Sequence, residues 1–447
     1  MRLETEERVP AVGVHADGFA RLVFSTSRLK GMPRLRNVFT PSPVPGRTAD
    51  ELVGYIEGED PISGRKFTDG LMDALTSPLT DEDLAGLAFS HGRSRVAATE
   101  TEDALHELYF ENGWTDTLPI ILPTEERVAA MLKGTSHSPD EVVGSLRASD
   151  ARDPWQFTVE QVAINAVMAG AQPEHLPVIL TLLASGMTSR HSSISSIAFM
   201  VMVNGPIRNE IGMNSGIGAL GPYSVANTAI GRAFSLASQN LQGGSVPAIS
   251  YMGTIGNPFN LTNMTFAENE EDSPWEPYHV QHGFKPDESC VTIFGQFRTL
   301  VSAPSGIRST WREQARAIFT GLRAAGGAIL LLDPLAAKLL VEHEGFAKKQ
   351  DLIDWIAGTS TIRGEVWWEQ GMAGRFLGER ARAGVEPWAS YLKVGPDDQI
   401  PVNVPEDVHV IVVGGKTTPI WAVAEGMANG TPHRNFRGTT MPIDPWR

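Results

Sequence analysis

Between His175 and Ala267, 93 consecutive residues carry only four charges, Arg190, Arg208, Glu210 and Arg232. A solvent-facing surface needs far more charge than that, so most of this stretch must be buried, either inside a domain or against another subunit. It is also rich in amides (Asn204, Asn214, Asn227, Asn240, Asn257, Asn260, Asn263), and buried amides need hydrogen-bond partners. Directly after it comes an acid knot, Glu268-Asn-Glu-Glu-Asp272.

The remainder of the chain sets bounds on this segment. At 447 residues and 42% hydrophobic content, two or three domains with ample core are expected. Of the net charge of -15, residues 101–300 hold -12 (9 bases, 21 acids), whereas 301–447 balance at 16 each. This acidity excludes a nucleic-acid binder held by a basic surface. No run of about 20 apolar residues predicts a membrane span, and the N-terminus has acids where a signal peptide needs a basic region. A lone cysteine, Cys290, excludes an intrachain disulfide and a multi-thiolate metal site. These features predict a cytoplasmic protein with a small-molecule partner, no nucleic-acid or membrane partner, and a homo-oligomeric state.

Periodicity predicts helices over 101–112, 124–133, 158–169, 173–184, 224–241, 309–325, 334–343 and 349–357, and a short one over 81–88. Apolar runs predict strands near 119–122 and at 197–203, 289–294, 328–332 and 408–413, with a further helix from about Pro419. Alternating strands and helices give an α/β class, with a mixed or mostly parallel sheet flanked by helices. Residues 1–100 read as an accessory arm or cap with little periodicity between 46 and 78, 101–305 as the main domain, and 306–447 as a C-terminal α/β region. No internal repeat of fixed period is visible.

Three places carry candidate chemistry. The strand ending at Val203 runs into a turn bearing Asn204, Arg208 and Asn214 among glycines, a position where open α/β sheets bind ligands. Arg208 and Arg232 would hold a substrate carboxylate or phosphate bidentately, with Asn204, Asn214 and Asn227 orienting it; the alternative is an internal arginine–acid pair. The GxGxxG string Gly216-Ile-Gly-Ala-Leu-Gly221 lacks the adjoining strand and the later acid of a dinucleotide site. The segment from Glu268 to His282 concentrates carboxylates and two imidazoles. Glu270, Glu271 or His279 would transfer protons, or Glu268, Glu270, His279 and His282 would ligate a divalent metal such as Zn, Fe or Mn; a solvated acidic loop is the alternative. Finally, Gly414-Gly-Lys416 between a strand and the helix expected after it would cradle an anion, with Lys416 as counter-charge, unless it is only a tight turn.

Several strings together resemble the UGSC-type (seleno)protein family and its longer relatives: Glu111-Asn-Gly-Trp-Thr-Asp-Thr-Leu-Pro119, Val159-Glu-Gln-Val-Ala-Ile-Asn-Ala-Val-Met-Ala-Gly170, Val203-Asn-Gly-Pro-Ile-Arg208, Asn227-Thr-Ala-Ile-Gly-Arg232 and Ala267-Glu-Asn-Glu-Glu-Asp-Ser-Pro-Trp275. The resemblance covers roughly 105–300 and is weaker beyond. It implies a redox domain with a Sec-Gly-Ser-Cys motif, which this chain lacks, so thiol or selenol chemistry is not expected. The leading expectation is an enzyme acting on a small anionic organic substrate by acid–base lyase or hydrolase chemistry, with or without the help of a divalent metal. The alternatives are a non-catalytic subunit of a multi-protein complex and an Fe- or Mn-dependent oxygenase using Glu/His ligands.

Overall fold

A computed structural model describes residues 2–29, 31–44, 46–85, 96, 100–146, 156–190, 198–241, 256–297, 299–303, 310–426 and 438–447. The class is α/β, but the body contains two facing mixed sheets where a single sheet was expected.

Ala198–Asn204 shows why. All seven residues are buried, as a strand covered on both faces requires. Its side chains alternate between two cores. Phe199, Val201 and Val203 join the cluster under the helices Val159–Met168, Leu176–Ala184 and Val225–Leu241. Ala198, Met200 and Met202 point the other way, into a cluster shared with Ile329, Leu331, Ile411 and Ala422 of the second sheet. The strand Ala328–Leu332 repeats the pattern: Ala328, Leu330 and Leu332 pack under Trp311–Thr320, Pro334–Glu344 and Lys349–Thr359. The result is four layers, helix–sheet–sheet–helix, with the charge-poor stretch filling two of them.

The two sheets have the same plan. Each central strand (Ala198–Asn204; Ala328–Leu332) has a parallel neighbour on one side (Met264–Ala267; Val408–Val412) and an antiparallel one on the other (Cys290–Phe297; Trp421–Glu425), in the same chain order. The fourth strands are exchanged. Thr299–Ala303, which closes the first half, pairs with Trp421–Glu425 in the second sheet. Thr439–Pro442, which closes the second half, pairs with Cys290–Phe297 in the first. The boundary expected near residue 305 is therefore crossed by strand pairing in both directions. The repeat escapes a search for fixed periods because strand order recurs while residue identities do not.

Local signals set most element ends. Thr158 and Gln161 form a capping box, Thr101 and Thr124 cap their helices, and Gly345 ends Pro334–Glu344 in the left-handed conformation. Two expected elements differ. Residues 119–122 form no ladder, although Ile121 donates its N–H to the Met168 carbonyl. The helix expected from Pro419 is the strand Trp421–Glu425, because Trp421 and Val423 complete the outer core while Ala422 and Ala424 complete the inner one. The strand Met264–Ala267 was not foreseen; it is four residues long and bordered by polar loops.

Residues 2–85 are more ordered than the expected arm. Gly13–Ala16 and Asn37–Thr40 pair in parallel around the helix Ala20–Leu29, and the helices Ala49–Glu57 and Phe67–Thr76 occupy the region that lacked periodicity. The short helix spans Asp81–Leu84 and stops at Ala85, whose backbone is extended; residues 86–88 of its expected range lie outside the described residues. Among the described residues, no helix is long and apolar enough to cross a membrane.

Candidate functional site

The C-terminal ends of the parallel pair in the second sheet, Ala328–Leu332 and Val408–Val412, open onto a cavity of ≈350 Å³. Leu331, Leu332, Val413, Ile420 and Ala422 supply apolar walls, Thr417 and Thr418 lie at its exposed side, and Ile217–Gly221 close it from the first half. Asp333 is the one ionisable side chain among these lining residues. It leaves the strand and caps the following helix: one carboxylate oxygen accepts from the Ala336 N–H at 2.7 Å, the other from the Ile420 N–H at 2.6 Å. It is only 8% exposed, and burial raises its pKa above the ordinary carboxyl value even though these backbone donors pull the other way.

The wall formed by 217–221 is held rigidly. Asn227 accepts from the Asn214 N–H and donates to the carbonyls of Asn214 and Ala219, while Asn214 accepts from the Gly216 N–H and donates to the Ile217 carbonyl. Both amides are thus spent on the loop and are not aimed at a substrate. Gly414 donates to the Ser215 carbonyl. At Gly415 a Cβ would sit 2.1 Å from Ile217 Cγ1 and 2.9 Å from its backbone nitrogen, so only glycine permits the two glycine-rich turns to interlock. Two segments singled out separately in the sequence therefore meet here. The anion cradle expected at Gly414–Lys416 is absent: no helix follows, and Lys416 pairs with Asp272 at 2.6 Å.

The arginines are also committed. Arg208 meets Glu271 through Nη1 at 2.9 Å and Nη2 at 2.6 Å, and Glu270 at 3.2 Å. These bonds hold the Glu271 carboxyl at about 2. Glu270 further accepts from Asn204 and from the Gly205 N–H. Drawing Arg208 away would strand a mostly buried Glu270, and breaking a buried pair costs about 3–5 kcal/mol. Arg232 forms a two-pronged pair with Asp116, whose side chain is 1% exposed, and donates to the Pro119 carbonyl. Both arginines of the expected anion clamp lie in internal ion pairs in the structure.

The end of the parallel pair in the first sheet is filled where the second is hollow. Glu268 is fully buried and accepts from Asn204 (2.6 Å), the Tyr278 N–H (2.7 Å) and Lys349 Nζ (3.1 Å). Tyr278 donates to or accepts from His409 Nδ1 at 3.1 Å, and burial keeps its phenol protonated. His279 is fully buried with no hydrogen-bond partner on either ring nitrogen among the described residues. His282 stacks on Tyr278 and bonds to its carbonyl. No three His, Cys, Asp or Glu side chains among the described residues are gathered as a metal would require, so Glu268, Glu270, His279 and His282 do not form the expected site. Cys290 is buried, and burial pushes its thiol up to about 12.

Sequence reasoning missed Asp333 and Lys349. An Asp-Pro pair directly after a buried strand was the available signal for Asp333, since ligands gather where parallel strands end. Lys349 begins a surface-like helix, and nothing local marks it as buried. The chain matches no protein-family model and no curated protein.

Proposed function

We propose that this chain is an enzyme that transforms a small organic molecule by acid–base chemistry in the cavity between the two halves, with Asp333 exchanging the proton. One observation carries the reading: a buried carboxyl with a raised pKa lines a mainly apolar cavity at the end of a parallel strand pair. Raising a carboxyl towards working pH improves it as a proton carrier. Lyase and hydrolase chemistry remain the proposed classes. The substrate is no longer expected to be anionic, because Arg208, Arg232 and Lys416 are each paired with carboxylates. Kinship with UGSC-type proteins stays a proposal resting on the strings quoted above, several of which lie on the supports of the cavity wall.

The test is a screen of small esters, amides and β-elimination substrates against the full chain and Asp333→Asn. Turnover should fall about 10²–10⁴-fold in the variant. An activity that survives the substitution would sink the assignment.

A second reading, a subunit presenting a surface to another protein, has one observation in its favour. In the uncharged loop beside the cavity, Ile217 is 71%, Tyr223 94% and Val225 63% exposed. If it holds, the native protein elutes with a partner that Tyr223→Asp releases; elution alone, unchanged by Tyr223→Asp, removes it.

A further inference from the structure

Among the described residues, the carboxylate of the cavity has no counter-ion. The two bonds described for Asp333, from Ala336 and Ile420, come from neutral backbone N–H groups. No lysine, arginine or histidine among the described residues lines the cavity, and the adjacent Lys416 is taken by Asp272. The start of the helix Pro334–Glu344 supplies a partial positive charge of about half a unit, which is less than a carboxylate needs. Around it stand the buried Leu331 and Val413, with Ile217, Ile420, Thr417 and Thr418 on the exposed side. A buried charge in such surroundings is costly unless it is paired. Three other buried carboxylates have a cation beside them: Glu268 has Lys349, Glu270 has Arg208, and Asp116 has Arg232.

We propose that the ligand supplies the missing charge: the cavity takes a small protonated amine on a hydrocarbon body, its ammonium on Asp333 and its chain against the apolar walls. This deepens, and rests on, the reading of the cavity as the working site. Size agrees, since ≈350 Å³ suits a compact molecule. The net charge of -15 adds a long-range pull on cations. The first chemical step is balanced within the pair: one proton passes from the ammonium nitrogen to a carboxylate oxygen, leaving a neutral amine with its lone pair and a neutral carboxyl.

Three probes of equal length separate charge from shape: n-hexylammonium, n-hexanol and hexanoate, titrated by calorimetry into the full chain, into Asp333→Asn and into Thr418→Trp. Thr418 lies exposed at the cavity, so the indole blocks access without touching the core. Hexylammonium should bind at least tenfold more tightly than the other two. Asp333→Asn, which keeps a capping side chain, should erase that preference, and Thr418→Trp should abolish binding of all three. Equal or tighter binding of hexanol or hexanoate, or a preference that survives Asp333→Asn, overturns the charge assignment while leaving the cavity as a small-molecule site. Failure of all three probes to bind overturns both.

Discussion

Lys349 and Glu268 face one another with 1% and 0% of their side chains exposed, so neither charge can fall back on water. Removing one partner leaves the other buried and uncompensated, whereas removing both leaves shape and little else. Lys349→Met is expected to lower the unfolding free energy by about 3–5 kcal/mol, and Lys349→Met/Glu268→Gln to recover much of it, both read from urea midpoints. A double variant no better than the single would show that the pair is not the origin of the loss. Glu271 illustrates the opposite, exposed extreme. Its folded pKa lies below the ordinary 4.5, at about 2, so its pairing with Arg208 stabilises the fold above pH 4.5 and is lost as pH falls towards 2. Arg208→Ala should therefore flatten the loss of stability across that acid window, measured by acid titration of circular dichroism. Arg208 was visible in the sequence as an isolated charge in an uncharged stretch, and Glu268 and Glu271 as members of the acid knot after it, whereas nothing local marked Lys349. The pairings themselves were hidden, because pairing across 60 to 80 residues depends on which strands become neighbours, and no local pattern records that.

At the level of elements, helices were legible and edges were not. The helix Val159–Met168 announces itself through a Thr-x-x-Gln cap and apolar spacing, and Val225–Leu241 through spacing alone. Trp421–Glu425 was misread because five residues rich in alanine suit either state, and only the inner and outer cores decide between them. The C-terminal segment offers a pH test of element docking. His137 donates to the Glu141 carboxylate at 2.9 Å and to the Pro445 carbonyl at 2.7 Å, with the Trp446 ring tilted against it at 4.8 Å; Thr135 donates to the Trp446 carbonyl at 2.8 Å. The Glu141 bond, and then the Pro445 carbonyl, raise the His137 pKa above 6.5. Its contribution is thus complete below 6.5 and disappears as pH rises through the raised value. Carboxypeptidase release of Arg447 should accelerate across that range in the native chain, and His137→Ala should remove the step. A step that persists in the variant would place the switch elsewhere.

The whole molecule is bound together by exchange. Because Thr299–Ala303 and Thr439–Pro442 each complete the other half's sheet, neither half is a finished unit by itself. Heat or urea should therefore unfold the body in one transition, seen alike by tryptophan fluorescence and circular dichroism. Separate expression of 100–305 and 306–447 should give chains that aggregate alone and become soluble when mixed. Two independent transitions would contradict this coupling. The same exchange carries a consequence for how the protein is made. The strand Cys290–Phe297 leaves the ribosome long before Thr439–Pro442, so its open edge waits while residues 298–438 are synthesised. Every nascent chain therefore passes through an interval in which a hydrophobic sheet is one strand short, and a chain lacking 439–442 would stay in that condition permanently.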